Sequence, residues 1–441
     1  MYKLSISLLV SLLLCAVETV CADVVSLTTS KATGETLTLC MTAAISADLE
    51  WGTGDTETLK FSGEPQSVVV KDSVLSITTN RPTLLLYIPS SGLTSLDCSG
   101  ATSLKVLICP DNELTSLDLS ACTALEELDC SNNELTSLTI GYCEALLRLN
   151  CANNQLSGMA YTQTTAAQLT SIVCGGNNLS SLRYYNKLTA LQTLWAEEND
   201  FSSLVLRTSH DLRSLNLSGN GMTSLTLGSN EYLHDLWLRD NSLQSLDLSP
   251  GTPALELVDV TANGMDTIIW DTSCEETLNY FYAADNDLFF NSFPTPTNII
   301  DAIYEPQSAY YLLDHAALAT RVDLGDYLSY DGFGNSYSRT YTLVNAEGDT
   351  LVANAADDYM VVSNTRFFFS TAQSGVTMYV YSPDYDVTLA SQPFDTGETT
   401  GIAAVESETA GDGIYYDLQG RRVLKPEHGI YIINGRKVVF D

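Results

Sequence analysis

Apolar residues return at a regular interval along the middle of the chain. Successive repeats begin 21 to 23 residues apart, at Leu104, Leu125, Leu146, Leu169, Leu191, Leu212, Leu233, Leu255 and Leu278. With each of these leucines counted as position 1, positions 4 and 11 are apolar and position 9 is always asparagine. The asparagines are Asn112, Asn133, Asn154, Asn177, Asn199, Asn220, Asn241, Asn263 and Asn286. This recurrence predicts stacked rungs around one continuous core, which is a solenoid.

The first rung of the solenoid is weaker than the rest. It begins at Thr83, where Leu86 and Leu93 keep the register and Ser91 replaces the asparagine. We therefore expect nine to ten rungs across residues 83–293, with a mainly β structure. The second half of each rung alternates, as in the segment 114–120 (LTSLDLS), and this alternation predicts an extended convex arm instead of a full helix.

The asparagines have a structural explanation. Each would stand where the chain turns away from its strand, and a side-chain amide both donates and accepts hydrogen bonds. Stacked asparagines would therefore satisfy backbone groups that are buried in successive turns. We expect a structural asparagine ladder, separate from any functional site.

The repeat resembles a known family. The segments 125–138 (LEELDCSNNELTSL) and 212–225 (LRSLNLSGNGMTSL) match the pattern L-x-x-L-x-L/C-x-x-N-x-L. They resemble the short-period bacterial leucine-rich repeats, akin to internalins, and are most similar to those on surface proteins of the Bacteroidetes group. The resemblance implies a leucine-rich-repeat solenoid, and proteins of this kind are usually adhesins that bind an extracellular protein or glycan.

The segments that flank the repeats predict further β structure. Residues 23–82 contain short strand patterns between turns, and we expect them to form a β-rich cap that covers the first rung. Residues 300–397 are rich in Tyr, Val, Thr and Phe with regularly spaced turns, which predicts an immunoglobulin-like β-sandwich that lacks a Cys…Trp…Cys core. Residues 398–412 are rich in Gly, Thr, Glu and Ala and predict a linker.

Both ends of the chain indicate export. Residues 1–22 contain Lys3, a short apolar run and the small residue Ala22, which predicts a signal peptide. Residues 413–441 predict two hairpins, turning at Gln419-Gly420 and Asn434-Gly435. This segment resembles the C-terminal sorting signals of type IX secretion, although the chain ends in VVFD instead of lysines. The resemblance implies recognition by that secretion machinery and a place outside the cell or on its outer surface.

The net negative charge of the chain argues against a nucleic-acid-binding protein. The chain has 54 acidic and 20 basic residues, a balance that repels nucleic acid.

Of its 11 cysteines, Cys109, Cys130, Cys151 and Cys174 occupy position 6 of their rungs, which faces the core. We expect buried free thiols there, because stacked parallel side chains fit the disulfide dihedral poorly; disulfides are the alternative.

The concave face of the sheet is the candidate binding site. Positions 3, 5 and 7 of each rung should face solvent there, and position 5 includes Trp195 and Trp237. Neighbouring candidates are Glu197, Asp235, Arg239, Tyr280 and Tyr282. Exposed aromatic side chains beside charged ones are typical of recognition surfaces. The alternative is that these rings only stabilise the strands by cross-strand packing.

The chain shows no motif of a known catalytic class. Its four histidines lie outside any H-E-x-x-H motif, and no P-loop or G-x-S-x-G motif is present. We expect no enzyme activity, cofactor or metal site. The sequence favours a surface binding protein, with a structural spacer as the alternative and a polysaccharide hydrolase ranked last; it assigns no oligomeric state.

Overall fold

The computed structural model describes residues 23–295, 299–308, 330–353 and 371–396. It further describes the strands at residues 321–323, 359–363, 366–369, 415–416, 422–423, 429–433 and 436–440. The predicted signal peptide at 1–22 and the predicted linker at 398–412 lie outside these residues. The chain divides into two compact units, residues 1–308 with 329–338 and 382–387, and the remainder from residue 309 onward. Within the part of the chain that is described, no helix has the length and apolar character needed to cross a membrane.

Short strands dominate the first unit. The first six are β1 (Val24–Thr29), β2 (Thr36–Met41), β3 (Ile45–Trp51), β4 (Thr56–Phe61), β5 (Gln66–Val69) and β6 (Val74–Thr79). The rungs then contribute β7 (Leu85–Tyr87), β8 (Leu93–Asp97), β9 (Val106–Ile108), β10 (Ser116–Asp118), β11 (Glu127–Asp129), β12 (Ser137–Thr139), β13 (Arg148–Asn150), β14 (Ser171–Val173), β15 (Thr193–Trp195), β16 (Ser203–Val205), β17 (Ser214–Asn216), β18 (Ser224–Thr226), β19 (Asp235–Trp237), β20 (Ser245–Asp247), β21 (Leu257–Asp259), β22 (Thr267–Ile269), β23 (Tyr280–Tyr282) and β24 (Asp301–Ile303).

Helical structure in the first unit is sparse. One helix, α1 (Gln163–Gln168), lies in the rung that starts at Leu146, and its N-cap Thr162 accepts a hydrogen bond from the amide of Thr165. Single 3-10 turns occupy Tyr185–Lys187, Thr272–Cys274 and Phe290–Ser292. The mainly β prediction is confirmed.

The solenoid is built on one long sheet of 13 strands. Eleven of them are parallel, one from each rung, in the order β7, β9, β11, β13, β14, β15, β17, β19, β21, β23, β24. The register keeps position 4 of every rung aligned, so that Leu128 pairs with Leu107 on one side and Leu149 on the other. At the N-terminal end, β2 pairs antiparallel with β7 and β5 pairs with β2.

The core of the solenoid follows the predicted apolar positions. In most rungs the central residue of the strand is buried and its two neighbours are partly exposed, as for Leu149 between Arg148 and Asn150. Position 1 is likewise buried, for example at Leu125 and Leu146. Since burying one leucine contributes about 2 kcal/mol, the stacked leucines supply most of the driving force for folding.

The opposite flank is an extended arm, as predicted. Parallel pairs form there between β10 and β12, β16 and β18, and β20 and β22. β10 and β20 show a buried leucine between two exposed residues.

The asparagine ladder is confirmed in every rung from Asn112 to Asn286. Asn154 is representative: its Nδ2 donates to the carbonyls of Cys130, Cys151 and Ala152 at 3.0–3.2 Å. Its Oδ1 accepts the amide of Leu135 at 2.9 Å. One side chain therefore joins backbone groups of two consecutive rungs that would otherwise be buried without partners.

The residue before each ladder asparagine has a left-handed backbone. Position 8 has a positive φ at Ser90, Asp111, Asn132, Asn153, Gly176, Glu198, Gly219, Asp240, Ala262 and Asp285. Asparagine, aspartate and glycine tolerate this conformation best, which explains why they dominate the position. The turn aims the following asparagine into the core.

The solenoid is longer than the sequence predicts. β24 pairs in parallel with β23, so the sheet continues past the expected boundary at residue 293 and into the segment expected to be a sandwich. Gln307 takes the place of the ladder asparagine: its Nε2 donates to the carbonyl of Ala283 at 2.6 Å, and its Oε1 accepts the amide of Leu288 at 2.9 Å. The pattern hid this rung because glutamine replaces asparagine and Ala302 replaces leucine.

An aromatic cluster closes the last rungs. The ring centroids of Phe293 and Tyr304 lie 4.8 Å apart, those of Phe290 and Phe293 5.7 Å, and those of Tyr304 and Tyr385 5.4 Å. Tyr385 lies in the segment expected to be a sandwich, yet it packs in the first unit. Such packing covers apolar surface that a terminal rung would otherwise expose.

The N-terminal segment is β-rich, as predicted. β4, β3, β6, β1 and β8 form an antiparallel sheet in that order, while β2 and β5 extend the long sheet of the solenoid. Leu49, Trp51, Leu75 and Ile77 are buried in this module. Because β8 belongs to the first rung, the cap is continuous with the repeats.

The second unit contains two small antiparallel sheets and a C-terminal one. β25 (Arg321–Asp323), β28 (Tyr359–Ser363) and β29 (Arg366–Phe369) form one; β26 (Thr340–Val344), β27 (Thr350–Leu351), β30 (Thr377–Ser382) and β31 (Val387–Ala390) form another. Tyr341 and Phe367 of the two sheets contact each other with ring centroids 5.0 Å apart. Seven strands in two sheets agree with a β-sandwich; the immunoglobulin-like topology stays a prediction.

The C-terminal segment forms the two predicted hairpins. β32 (Tyr415–Tyr416) pairs with β33 (Arg422–Val423), and β34 (Gly429–Ile433) pairs with β35 (Arg436–Phe440). β32 also pairs with β34, which gives a sheet of four strands. The hairpin turns themselves lie outside the described residues.

The nine cysteines after residue 22 are free and buried, as expected. Burial raises the pKa of Cys151 and Cys143 to about 12 and that of Cys122 to about 11. The disulfide alternative is not realised, and each of these thiols is neutral at physiological pH.

The thiols should resist alkylation while the protein is folded. Only the thiolate reacts, and burial both suppresses it and blocks access. Iodoacetamide near pH 8 should leave these cysteines unmodified in the native protein and modify all of them in guanidinium, as read by mass spectrometry. A Ser203→Cys variant, exposed on β16, provides the reactive control. Native-state labelling of Cys130 or Cys151 at the control's rate would contradict this account.

Removal of one ladder asparagine should destabilise the protein strongly. Asn177→Ala deletes donors to the carbonyls of Cys151 and Cys174 and the acceptor for the amide of Leu156. Unsatisfied buried backbone groups cost about 1–3 kcal/mol each, so we expect the free energy of unfolding to fall by about 3 kcal/mol. Chemical denaturation measures it.

The neighbouring asparagine is a matched control. Asn178 is exposed, and Asn178→Ala should change the free energy of unfolding by no more than about 0.5 kcal/mol. Equal losses for the two variants would show that the ladder does not carry the stability assigned to it.

Candidate binding face on the concave sheet

The register of the long sheet fixes the arrangement of the candidate residues. Trp195 pairs with Asn216, and Asn216 pairs with Trp237, so the two tryptophans stand two rungs apart. Asp259 follows Trp237, and Tyr282 follows Asp259. At about 4.8 Å per rung the two indoles are separated by about 10 Å along the sheet. Position 5 therefore forms one column on the concave face.

Trp195 is partly buried and held in place. Its Nε1 donates to the hydroxyl of Ser214 at 2.9 Å, across to the next rung. Ser214 stands at position 3, so the indole leans toward that column. A ring anchored by its nitrogen loses little conformational entropy when a ligand stacks on it, which favours recognition.

Asp235 stands two residues before Trp237 on the same strand and is partly buried. Burial is the largest influence on its pKa and raises it; the nearby His234 lowers it, and Glu256 raises it further. His234 itself contacts Glu256, with Nδ1 3.3 Å from Oε1. Within the described residues, no basic group lies within ion-pairing distance of Asp235.

Glu197 extends over the preceding rung. A Cβ atom at Gly175 would lie 2.6 Å from the Cδ of Glu197, so a larger residue there would have to displace this carboxylate. The Oε2 of Glu197 is shielded from solvent and has no hydrogen-bond partner among the described residues. A carboxylate oxygen in this state favours a cationic or hydrogen-bonding ligand.

The remaining candidates are Arg239, which follows Trp237 in the same rung, and the two tyrosines of β23. Arg239 is exposed, and its Nε donates to the Oδ2 of Asp240 at 3.0 Å. Tyr280 and Tyr282 are both partly exposed on β23. The hydroxyl of Tyr282 donates to the Oδ2 of Asp301 at 3.0 Å, and burial together with that hydrogen bond raises the pKa of the tyrosine.

Three residues of this face are not predicted from the sequence. Asp301 and Ile303 extend columns 3 and 5 into the hidden last rung, where half of the Ile303 side chain is exposed (51%). Ser214 anchors Trp195 across rungs. The continuing 21-residue spacing would have identified the first two, whereas the side-chain bond of Ser214 has no sequence signal.

Some side chains at position 5 also have a structural role, because they accept a backbone hydrogen bond in the turn that follows the strand. Where it is aspartate or asparagine, its Oδ1 accepts the amide two residues on, as in Asp129 to Ser131 at 3.0 Å and Asp259 to Thr261 at 3.0 Å. Asn150 and Asn216 make the same turn. The Trp and Tyr side chains at this position make no such turn, and so they are not explained by it.

Among the described residues, no group of three or more Asp, Glu, His or Cys side chains is placed to hold a metal ion. The carboxylate of Asp331, in the loop 331–335, is instead occupied by hydrogen bonds within the protein. Asp331 is buried, and its Oδ1 accepts the amides of Phe333 and Asn335 at 3.0 and 2.8 Å. Its Oδ2 accepts the hydroxyl of Thr295 at 2.8 Å.

Comparison with known proteins identifies the repeat. A family model described as "Leucine Rich repeats (2 copies)" matches residues 102–140. The chain contains leucine-rich repeats. The matching model describes a repeat and not a catalytic domain, and the leucine-rich-repeat solenoid is a scaffold commonly used to bind other proteins.

Several solved structures are similar to the leucine-rich-repeat part of the chain. YopM from Yersinia enterocolitica is 23% identical with a TM-score of 0.36, over 46% of this chain and 47% of that one. YopM from Yersinia pestis is 23% identical with a TM-score of 0.41, over 51% and 67%. The functional domain of InlJ from Listeria monocytogenes, which "includes a cysteine ladder", is 18% identical with a TM-score of 0.23, over 69% and 89%.

The likeness to these structures is distant. The chain spans 47% of the length of the first YopM structure, about half. Values this low carry no conclusion about what the chain binds. None of the curated proteins matches the chain.

Replacing Asp235 should change the pH dependence of stability. Because burial raises its pKa above the ordinary 3.8, the folded state holds the proton more tightly, and stability is lost as pH rises through the raised pKa. Asp235→Asn removes this loss. The thermal midpoint of the variant relative to the parent should therefore increase from pH 3 to pH 7.

A second carboxylate should behave in the opposite way. The hydroxyl and amide of Ser120 lower the pKa of Asp118, so its contribution to stability is present above the ordinary carboxyl value and is lost at lower pH. Asp118→Asn should therefore lose thermal midpoint relative to the parent as pH rises. The same trend for both variants would contradict the burial of Asp235.

Proposed function

We propose that the chain is an adhesin-like binding protein of the cell surface, which recognises an extracellular protein or glycan on the concave face of its solenoid. The supporting observation is the column that contains Trp195, Trp237 and Tyr282, in a sheet whose fold does not require aromatic residues there. Other rungs place Asp129, Asn150 or Val173 at the same position, so these rings are dispensable for folding.

A structural spacer is the alternative function. Its support is the regular solenoid, which would serve as a rigid element without any ligand. The aromatic column favours binding over this alternative, because partly exposed aromatic side chains that are grouped on one face commonly mark an interaction surface. A polysaccharide hydrolase ranks last, since no observation favours it.

Export of the protein is part of the proposal. It is supported by the signal-like residues 1–22 and by the two C-terminal hairpins, which resemble a type IX sorting signal. We propose that the secretion machinery recognises the C-terminal sheet and that the solenoid then acts outside the cell or on its outer surface.

A binding screen tests the proposed site. The whole chain is tested against extracellular matrix proteins and a glycan array, beside a Trp195→Ala/Trp237→Ala variant. We expect a ligand whose affinity falls at least tenfold in the variant, because central aromatic residues commonly contribute 2 kcal/mol or more, about 30-fold. Thermal midpoints of the two proteins must agree within the error of the measurement.

The matched control is a Tyr142→Ala/Tyr185→Ala variant. Both tyrosines are exposed (64% and 44%) and lie outside the concave columns. This variant should bind as the parent does. Loss of binding in both variants would place the site elsewhere, and the absence of any ligand for the parent would favour the spacer.

A further inference from the structure

We propose that the concave face binds a cationic, extended polypeptide segment, whose lysine or arginine side chains lie between the carboxylates and aromatic rings of rungs 191–308. This inference rests on the proposed function and specifies the chemistry of the partner. It is carried by the distribution of paired and unpaired charge along the face and by the positions of the aromatic rings beside the unpaired carboxylates.

The one basic side chain in the columns of the N-terminal half is already paired within the protein, and the remaining carboxylate, Asp129, accepts the amide and the hydroxyl of Ser131. Beside the columns, at position 2 of their rungs, Lys105 donates to Glu126 with an Nζ–Oε1 distance of 2.6 Å. The guanidinium of Arg148 donates to Glu127, with Nε 3.1 Å from Oε2. These rungs therefore offer little net charge to a partner.

The C-terminal half differs. Positions 3, 5 and 7 of its rungs hold five carboxylates and one base, Arg239; the carboxylates are Glu197, Asp235, Asp259, Asp301 and Glu305. Arg239 already forms an ion pair with Asp240, with Nε 3.0 Å from Oδ2. Among the described residues, no basic group lies within ion-pairing distance of Glu197, Asp235, Asp259 or Asp301, so this half of the face is complementary to a positive charge.

Each unpaired carboxylate has an aromatic neighbour. Asp235 stands two residues before Trp237 on the same face of β19, about 7 Å away, and Glu197 stands two residues after Trp195, just beyond the end of β15. Asp259 pairs with Trp237 on one side and Tyr282 on the other. Asp301 accepts the hydroxyl of Tyr282.

This combination selects a cation over a neutral sugar. An ammonium or guanidinium group gains from the face of an aromatic ring and from the adjacent carboxylate at once. A sugar stacks on the rings, and its hydroxyls donate hydrogen bonds to the carboxylates, but it leaves their negative charge without a counter-charge. The Oε2 of Glu197 is shielded from solvent without a hydrogen-bond partner among the described residues, and Asp235 is partly buried, so a cation offsets an existing cost.

The extent of the face indicates a polypeptide instead of a single cation. From the rung of Trp195 to that of Asp301 there are five steps, or about 24 Å at the rung spacing. An extended chain covers this distance with about seven residues. Carboxylates two rungs apart are separated by about 10 Å, which matches a basic residue at every third position.

Two synthetic peptides test the inference on the whole chain. One is a labelled dodecapeptide with lysine at every third position among glycine and serine, and the other has glutamate in place of lysine. Fluorescence anisotropy should show binding of the lysine peptide alone. Its affinity should fall at least tenfold between about 50 and 500 mM salt, because the contacts are exposed ion pairs.

The variants separate a specific face from the overall negative charge. Asp235→Asn/Asp259→Asn should weaken lysine-peptide binding at least tenfold, and it preserves the turn at position 5, where Asn150 and Asn216 occur naturally. Asp118→Asn/Asp247→Asn removes the same charge from the convex flank, where both residues likewise accept amide hydrogen bonds. The convex variant should bind like the parent, and Trp195→Ala/Trp237→Ala should bind more weakly.

Three outcomes would overturn the inference. Equal weakening by the two aspartate variants would mean that the peptide responds only to net charge. Full binding by the tryptophan variant would show that the two rings do not contribute to peptide binding. If the lysine peptide fails to bind while the ligand screen yields a neutral ligand that depends on Trp195, the cationic partner is wrong and the proposed binding function stands.

Discussion

The hydrogen bonds of the ladder asparagine are the constraint on which the rest of the molecule depends. Asn133 donates to the carbonyl of Cys109 in the rung before it and to that of Cys130 in its own. One amide therefore sets the distance between consecutive rungs and the point at which each strand ends. Extra residues must enter on the opposite flank, and the 23-residue rung that contains α1 places its helix there.

Once the ladder and the apolar core are fixed, the concave positions are the ones free to vary. They change character along the array, from internally paired charges near Arg148 to aromatic rings and unpaired carboxylates beyond Trp195. The fold is the same in both halves, so folding cannot be the cause of the change. A change that the fold does not require agrees with the proposed binding function, in which the C-terminal rungs contact another molecule.

The sequence predicts the parts of this structure that depend on periodic residues and misses those that depend on side-chain geometry. The leucines and asparagines are visible because each rung repeats them. The last rung was hidden because Gln307 reproduces the hydrogen bonds of asparagine with a longer side chain. The accommodation of Glu197 above Gly175 and the bond from Trp195 to Ser214 each join two rungs, and no periodic pattern reports such a pair.

The buried thiols are compatible with the proposed export into an oxidising environment. Disulfide exchange requires a thiolate, and burial raises the pKa of Cys151 to about 12. At neutral pH only about one molecule in 10⁵ would carry that thiolate, and the side chain is also inaccessible in the folded protein. The cysteines at position 6 can therefore act as small apolar core residues, on the condition that folding precedes oxidation. The asparagine ladder favours that order, because each closed rung buries the thiol beside it.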